Sequence, residues 1–241
     1  VISVLVIIPT YNEAASIEGV IERVLALVLP GHEIQVLVVD DGSPDGTGGI
    51  VESISSTRVH LLERSAKTGL GRAYLSGFAW ALERPFDVVV EMDGDGSHQP
   101  EQLDRLLTAI ASGADLVIGS RWIPGGKVDN WSTIRQGLSR SGNGYARIAL
   151  GFDLHDATAG YRAFTRQALE KINLSSVDSN GYCFQIDLAW RAWQQKLKIV
   201  EVPITFVERT SGVSKMSKGI VLEAIWQITK WGLRRLTAQR R

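Results

Sequence analysis

An α/β domain built on a Rossmann-like, mostly parallel sheet flanked by helices is the fold class this sequence predicts. Three observations predict it. Short apolar runs recur at residues 3–9 (SVLVIIP), 35–41 (QVLVVDD), 59–63 (VHLLE), 87–93 (DVVVEMD) and 115–121 (DLVIGSR), and they are continuous rather than alternating. Strands covered on both faces have that look, and such strands belong to parallel sheets. Helical patterns separate the runs, and strand–helix alternation implies right-handed crossovers. Finally, 241 residues with an apolar fraction of 44% can fill a sizeable core.

Taken in order, the first run carries Val4-Leu5-Val6-Ile7-Ile8 and ends in Pro9-Thr10-Tyr11-Asn12-Glu13. Ile17, Val20, Ile21, Val24, Leu25 and Val28 then follow the i, i+3, i+4, i+7, i+8 rule of a helix packed on a sheet. The second run ends in Asp40-Asp41-Gly42-Ser43, the fourth in Asp93-Gly94-Asp95 and the fifth in Ser120-Arg121. Residues 70–82 and 100–111 supply further helices, so a doubly wound unit is expected over residues 1–121. In such sheets ligands bind beyond the carboxyl ends of the strands, where these polar clusters fall.

The rhythm changes after Arg121. WIPGGKVDNWSTIRQ is polar and rich in Gly and Pro; a helix is expected over 136–150, then DATAGYRAFTRQAL, a helix around 184–195 and a β-like KIVEVPITFVE. Without repeats or a low-complexity linker, the second half reads as an elaboration of the same domain, built over the strand ends. The expected organisation is one domain over 1–219, with a nucleotide half (1–121) and an acceptor half (122–219), followed by an amphipathic basic helix over 220–241.

Composition narrows the function. A single cysteine, Cys183, excludes an intramolecular disulfide and a multi-cysteine zinc site, which suits a reducing compartment. The unbroken apolar stretches fall far short of the ~20 residues that span a bilayer. The first residues read directly as a strand, so no signal peptide is expected. Because the chain opens on valine, a fused or separate membrane-anchoring domain is also expected as possible company. Formal net charge is zero, but eight Lys/Arg against the single acid Glu223 gather from Arg209 onward. Such an end suits an anionic partner or a solvated tail.

The alternation Asp93-Gly94-Asp95-Gly96 carries the chemistry. On an extended chain, residues i and i+2 point the same way, about 6.5–7 Å apart. Asp93 and Asp95 can therefore converge on one cation, and hard oxygens suit Mg²⁺ or Mn²⁺. A solvated acidic turn would read the same, but four other polar clusters lie level with this one. Asp40 and Asp41 can accept hydrogen bonds from a base or ribose, or can form a turn and helix cap. Tyr11 and Glu13 can serve as wall and acceptor of a nucleotide slot, or Asn12 and Glu13 can start a helix. Neither G-x-G-x-x-G after the first strand nor G-x-x-x-x-G-K-[ST] occurs, so a dinucleotide fold and a P-loop are unsupported. A metal and a nucleotide without a phosphate loop point to a nucleotide-sugar or related diphosphate.

The set PTYNE, VVDDGSPDGT, MDGDGSHQPEQL, GSR, DATAGYRAF, GYCFQID and Arg209-x-x-Gly212-x-Ser214-Lys215 resembles the catalytic domain of polyprenol-phosphate (dolichol-phosphate) mannose synthases, in glycosyltransferase family 2. The resemblance runs to about residue 219 and implies the GT-A fold. It implies transfer of mannose from GDP-mannose to a polyprenyl phosphate with inversion, on the cytoplasmic face of the membrane. Asp93 and Asp95 then hold the metal on the donor diphosphate, and Pro9, Tyr11, Glu13 and Asp41 line the nucleotide pocket. Arg121, Arg135, Arg209 and Lys215 are the cations for donor and acceptor phosphates, arginine as a fork and lysine as a point charge. Asp187 stands where most relatives carry Glu and is placed at a sugar hydroxyl or in tuning the site. Some relatives carry Gln as an added metal ligand where Ser97 stands, and serine is a poorer ligand. His98 is expected to support the site or start a helix rather than bind metal.

At about 100° per residue, Glu223, Gln227, Lys230, Arg234, Thr237 and Arg241 share one narrow stripe of the C-terminal helix. The remainder is largely apolar, which suits a peripheral helix that packs in part on the sheet and enters the bilayer surface in part, with Trp226 and Trp231 at headgroup depth and Arg235 reaching outward, or a helix buried against another subunit or against transmembrane segments. The nearest rival activity keeps the lipid acceptor and uses UDP-glucose. A D-x-D-G-T phosphatase would place its nucleophile after the first strand, which here ends in PTYNE. A nucleotide-sugar-binding regulator would tolerate loss of Asp95 and the cations, all of which are present. No nucleic-acid partner is expected, because the basic tail lacks an aromatic platform.

Overall fold

The apolar runs form strands β1 (Ile2–Thr10), β2 (His32–Asp40), β3 (Val59–Glu63), β4 (Val88–Glu91) and β5 (Leu116–Ser120) in the computed structural model, which describes residues 1–177, 179, 182–208 and 218–238. Arg209, Gly212, Ser214 and Lys215 lie outside the described residues. Helices α1 (Ile17–Leu25), α2 (Thr47–Ser53), α3 (Leu70–Leu82) and α4 (Leu103–Ala111) alternate with these strands. The second half adds β6 (Lys127–Asp129), α5 (Thr133–Leu150), β7 (Arg162–Thr165), α6 (Arg166–Lys171), α7 (Tyr182–Gln194), β8 (Ile199–Pro203), β9 (Thr205–Val207) and α8 (Lys218–Ala238).

Each face of the sheet carries its own core, as continuous apolar strands require. Leu5, Ile7, Leu37 and Val39 pack with Tyr74, Phe78 and Phe184 on one side; Val4, Val6, Ile8, Val36 and Val38 pack with Ile17, Ile21 and Val24 on the other. Register then levels the strand ends. Thr10 pairs with Asp40 in the parallel β1–β2 ladder, and Ile7 with Glu91 in β1–β4. The PTYNE, DDGS and DGDG turns therefore leave the sheet along one edge.

The order of the seven-stranded sheet is β3-β2-β1-β4-β7-β5-β8, and β7 runs antiparallel to both neighbours. The second half is thus not only built over the strand ends: β7 and β8 complete the sheet itself. Arg-Ala-Phe-Thr is too short for a periodic signal, and its burial comes from the strands on either side. The Gly/Pro-rich segment contributes β6, which pairs with β9 in a separate two-stranded ribbon. Helix α5 begins earlier than its apolar pattern because Ser132 caps it, its side chain accepting from the Arg135 N–H.

Helix α8 packs against α5 and α7. Ile228 and Trp231 are buried, and Trp231 stacks on Trp190 with ring centroids 5.6 Å apart. This corrects the expectation that both tryptophans face outward, since only Trp226 is exposed. The two side chains lie five positions apart, about 140° around a helix, and so face different surroundings.

Candidate active site

A cleft of about 490 Å³ opens at the carboxyl edge of the sheet. It is bounded by the turns after β1, β2, β4 and β5, by α7, and by the segments carrying Trp131 and Phe206.

One end is built from the turns after β1 and β2. Pro9, Tyr11, Glu13 and Asp41 line it together with Lys67. Asn12 adopts φ 60°, a left-handed conformation that asparagine tolerates. The turn is stitched to the next loop: Asn12 N–H donates to Ser43 Oγ (3.0 Å), Glu13 N–H to Thr47 Oγ1 (3.1 Å) and Ala14 N–H to Asp45 Oδ2 (3.0 Å). Lys67 Nζ sits 3.9 Å from the Tyr11 ring centroid. Asp41 pairs with Arg64 at 2.6 Å, and burial nonetheless pushes its carboxyl above the usual range. Asp40 does not line the cleft. Its carboxylate accepts from Thr10 Oγ1 at 2.7 Å and from the Ser43 N–H and hydroxyl at 2.8 and 2.6 Å, so it braces the turn.

Asp93 and Asp95 line the middle of the cleft. The glycine between them permits contact with β1, because a Cβ on Gly94 would stand 3.1 Å from Ile8 Cγ2 and 3.3 Å from Thr10 Cγ2. Gly96 turns the chain at φ 77°. His98 is buried behind the pair, stacked on Tyr161 and edge-on to Phe206. Its Nδ1 accepts the Asp93 N–H at 3.0 Å, which fixes that nitrogen unprotonated. Burial lowers its pKa in agreement, so the 3.7 Å approach of Asp93 Oδ2 is not an ion pair. His98 therefore supports the acidic loop, as expected. Asp95 Oδ1 accepts the Ser97 N–H at 3.0 Å.

The other end is cationic and aromatic. Arg121 is buried against Asp156, which accepts from its backbone N–H (2.9 Å), Nε (2.7 Å) and Nη2 (2.7 Å). Thr158 Oγ1 takes a further bond at 3.0 Å, and Asn143 holds Thr158 in turn. The guanidinium lies 5.3 Å from the Trp131 ring and 5.6 Å from Phe206. Arg135 stacks on Trp131 at 3.9 Å and pairs with Glu208.

Asp187 lies off the cleft. It is buried, accepting from Ser179 Oγ at 2.8 Å and Arg191 Nε at 2.7 Å, and so ties α7 to the preceding loop. On α7 it is Gln185 and Cys183 that line the cleft.

The profile of glycosyl transferase family 2 matches residues 5–173 of this chain, which carry Asp93, Asp95, the turns after β1 and β2 and Arg121. The chain belongs to glycosyltransferase family 2. It is 54% identical over 233 residues to a polyprenol monophosphomannose synthase of Mycolicibacterium smegmatis, covering 95% of this chain and 87% of that one. It is also 54% identical to an undecaprenyl-phosphate mannosyltransferase of Micrococcus luteus, covering 95% and 94%. A glucosyl-3-phosphoglycerate synthase from Mycobacterium tuberculosis, solved with Mn²⁺, uridine diphosphate and glucosyl-3-phosphoglycerate, superposes with a TM-score of 0.68 at 20% identity over 97% of this chain and 79% of that one. That likeness is one of fold, and the fold is of the GT-A type.

The residues of this glycosyltransferase suit a divalent ion that also binds substrate. No group of three His, Cys, Asp or Glu side chains is arranged to hold a metal among the described residues. Two carboxylates facing one cleft are the donor set of an ion whose other positions go to phosphate oxygens and water.

Beneath the acidic pair, Glu91 and Arg162 are buried with 3.9 Å between Oε2 and Nε. Arg162 spends its N–H groups on the carbonyls of Ala157, Ala159 and Gln185 at 2.7–2.8 Å, clamping the DATAG loop and α7 to the sheet. Burial raises the Glu91 carboxyl to about 8, above its ordinary 4.5, so it is largely protonated at neutral pH. A raised folded-state pKa means that this carboxyl's contribution to stability is full below about 4.5 and is lost as pH rises through about 8. Glu91→Gln, which mimics the protonated form, is expected to lose less stability than the wild type between pH 5 and 9. Parallel pH curves in urea melts would refute this assignment.

Proposed function

We propose that this chain transfers mannose, with inversion, from GDP-mannose to a polyprenyl phosphate, using Mg²⁺ or Mn²⁺ held by Asp93 and Asp95. The observation that carries this reading is the polarity of the cleft. A wall of Tyr11, Lys67 and Asp41 stands on one side of the acidic pair, and two arginines close to aromatic rings stand on the other. A nucleotide diphosphate fits the first side, and an anionic acceptor entering from an apolar phase fits the second. The 54%-identical relatives, named for mannose transfer to polyprenyl phosphates, support the same choice.

Pro9, Tyr11, Glu13 and Asp41 are assigned to the donor nucleotide, Arg121 and Arg135 to phosphate groups, and Arg209 and Lys215 to the same task by family likeness. A phosphate ester is anionic at neutral pH, with a second pKa near ~6, so the acceptor oxygen needs no strong base. The site's task is alignment: the acceptor oxygen forms its bond to the anomeric carbon from the face opposite the departing diphosphate, whose bond breaks. A bound divalent ion supplies positive charge to that diphosphate as it leaves. Arg121, immobilised by Asp156, offers a fixed charge without reorganisation.

No helix among the described residues is long and apolar enough to cross a membrane. A peripheral position on the cytoplasmic leaflet, where nucleotide-sugars are made, is supported by an exposed stripe on α5. Ile134, Leu138, Tyr145 and Ile148 occur at i, i+4, i+11 and i+14 and are all exposed. Tyr145 OH meets Thr229 Oγ1 at 2.6 Å, which joins the stripe to Ile225, Trp226 and Leu233 of α8. Helix α5 contains three arginines and no acid, but Arg135 pairs with Glu208 in the cleft and Arg147 with Asp153 at 3.1 Å, so it is the apolar stripe rather than charge that supports this position.

The test is transfer of labelled sugar to polyprenyl phosphate in anionic vesicles, with GDP-mannose and UDP-glucose as donors and with Mn²⁺ or chelator. Metal-dependent transfer from GDP-mannose alone is expected, and preference for UDP-glucose would overturn the donor. Ile134→Ser/Ile148→Ser is expected to cut the vesicle rate about tenfold or more, at ~1.5–3 kcal/mol per buried isoleucine. The same variant should keep its rate on a short-chain acceptor dispersed in detergent.

A further inference from the structure

Gln185 is a polar side chain that the fold buries without satisfying. It is 3% exposed, and neither its Nε2 nor its Oε1 has a hydrogen-bond partner, although the side chain lines the cleft. Its main chain is held, since Arg162 Nη1 donates to the Gln185 carbonyl at 2.7 Å. Its hydrogen-bonding neighbour within the fold is Glu91, whose carboxyl pKa it lowers as a hydrogen-bond partner does, but the contact is too poorly aligned to satisfy either side chain and leaves amide capacity open to the cleft. Glu91 precedes Asp93 by two positions, so Gln185 stands on the side of the sheet where the acidic pair begins.

A buried amide with two unmet groups is costly unless something enters to meet them. The chemistry of the group selects what enters. An amide is neutral, so it gives a phosphate little that the arginines do not. It offers one acceptor and two donors, which matches an alcohol, itself donor and acceptor. In a cleft that receives a nucleotide-sugar, the part carrying alcohols next to the acidic pair is the sugar. We infer that the Gln185 side chain hydrogen-bonds a hydroxyl of the sugar being transferred and so contributes to choosing which sugar is carried. This rests on the proposed reading of the cleft as a nucleotide-sugar site, and it moves to Gln185 the role expected of Asp187 from the sequence.

The test compares nucleotide-sugar with bare nucleotide. Calorimetric titrations with Mn²⁺ would be run on the wild type and Gln185→Met with GDP-mannose and GDP, and with UDP-glucose and UDP. Removing the amide is expected to weaken the nucleotide-sugar that the wild type binds by about tenfold, the scale of a neutral hydrogen bond, while the matching nucleotide changes less than about twofold. Equal weakening of both ligands, or of neither, would overturn the inference. If the wild type binds UDP-glucose rather than GDP-mannose, the proposed donor fails while the Gln185 ratio is still read on the donor that binds; if it binds no nucleotide-sugar, both fall.

A second measurement has an arm on the wild type alone. Donors lacking one sugar hydroxyl at a time are titrated into the wild type. One position is expected to cost about tenfold, and that cost should vanish in Gln185→Met. A wild type indifferent to every deletion would refute the contact.

Discussion

Asp95→Asn is expected to lower turnover by a hundredfold or more, on the order of what removing one charge-stabilising group costs an active site, and to abolish metal-dependent donor binding while leaving the fold intact. The two halves of this expectation have separate causes. Asp95 is half-buried, and among its interactions is an acceptance from the Ser97 N–H at 3.0 Å, which the isosteric asparagine keeps through its oxygen. Stability should therefore change by less than about 1 kcal/mol. What asparagine cannot replace is the second negative charge, since a hard divalent ion is held by carboxylates. Turnover, donor binding with Mn²⁺ and with chelator, and a thermal melt measured on the same variant separate these effects. Near-normal activity would sink the metal assignment, and a collapsed melting temperature would make Asp95 structural.

The second large effect belongs to a residue that contributes no side chain to the cleft wall. Asp156 is fully buried and accepts from three nitrogens of Arg121, from Thr158 Oγ1 at 3.1 Å and from Asn143 Nδ2 at 3.4 Å. Its own N–H and that of His155 donate to Glu201 on β8 at 2.8 Å, which sets the loop against the sheet. Asp156→Ala strands the Arg121 cation in a site where it is 6% exposed. Breaking one partner out of a buried pair typically costs ~3–5 kcal/mol. In a chain of this size that is a fall in melting temperature on the order of 10 °C. Arg121 also loses its aim at the cleft, and misplacement by ~1 Å can cost ~100-fold in rate. Asp156→Asn, which keeps an oxygen and the shape, should fall between the two in both stability and rate. A variant Asp156→Ala that melts within about 2 °C of the wild type would show that Arg121 finds another partner.

Much of this site was legible because it lies at strand ends. Asp93 and Asp95 share a direction by the two-residue period of an extended chain, and Tyr11, Glu13 and Asp41 fall at the same edge once strands are assigned. The neighbouring Asp40 was not separable from Asp41. Adjacent residues at a strand end point to opposite sides, and the β1–β2 ladder, pairing Thr10 with Asp40, decides which carboxylate turns inward to Thr10 and Ser43. Gln185 and Asp187 pose the same problem on a helix. They sit about 200° apart on α7, and because apolar residues are spread around that helix, its pattern does not mark a cleft-facing side. The family resemblance points to the acid, yet Ser179 and Arg191 occupy it and the amide lines the cleft. Lys67, Trp131 and Phe206 belong to no short motif, and they join the site because segments far apart in the chain converge on it.

By itself the sequence determined the α/β class, the order of its first five strands along the chain, and the polar clusters, the acidic pair among them, that fall at the strand ends, all consequences of local periodicity and of residue chemistry. Only the tertiary structure decided the antiparallel insertion of β7, the burial of Trp231 against Trp190 beside an exposed Trp226, the bracing role of Asp40 and Asp187, and the place of Gln185 in the cleft. The physical reason is common to all of these. Which way a side chain faces is set by what packs on the other side of it, and that partner comes from elsewhere in the chain.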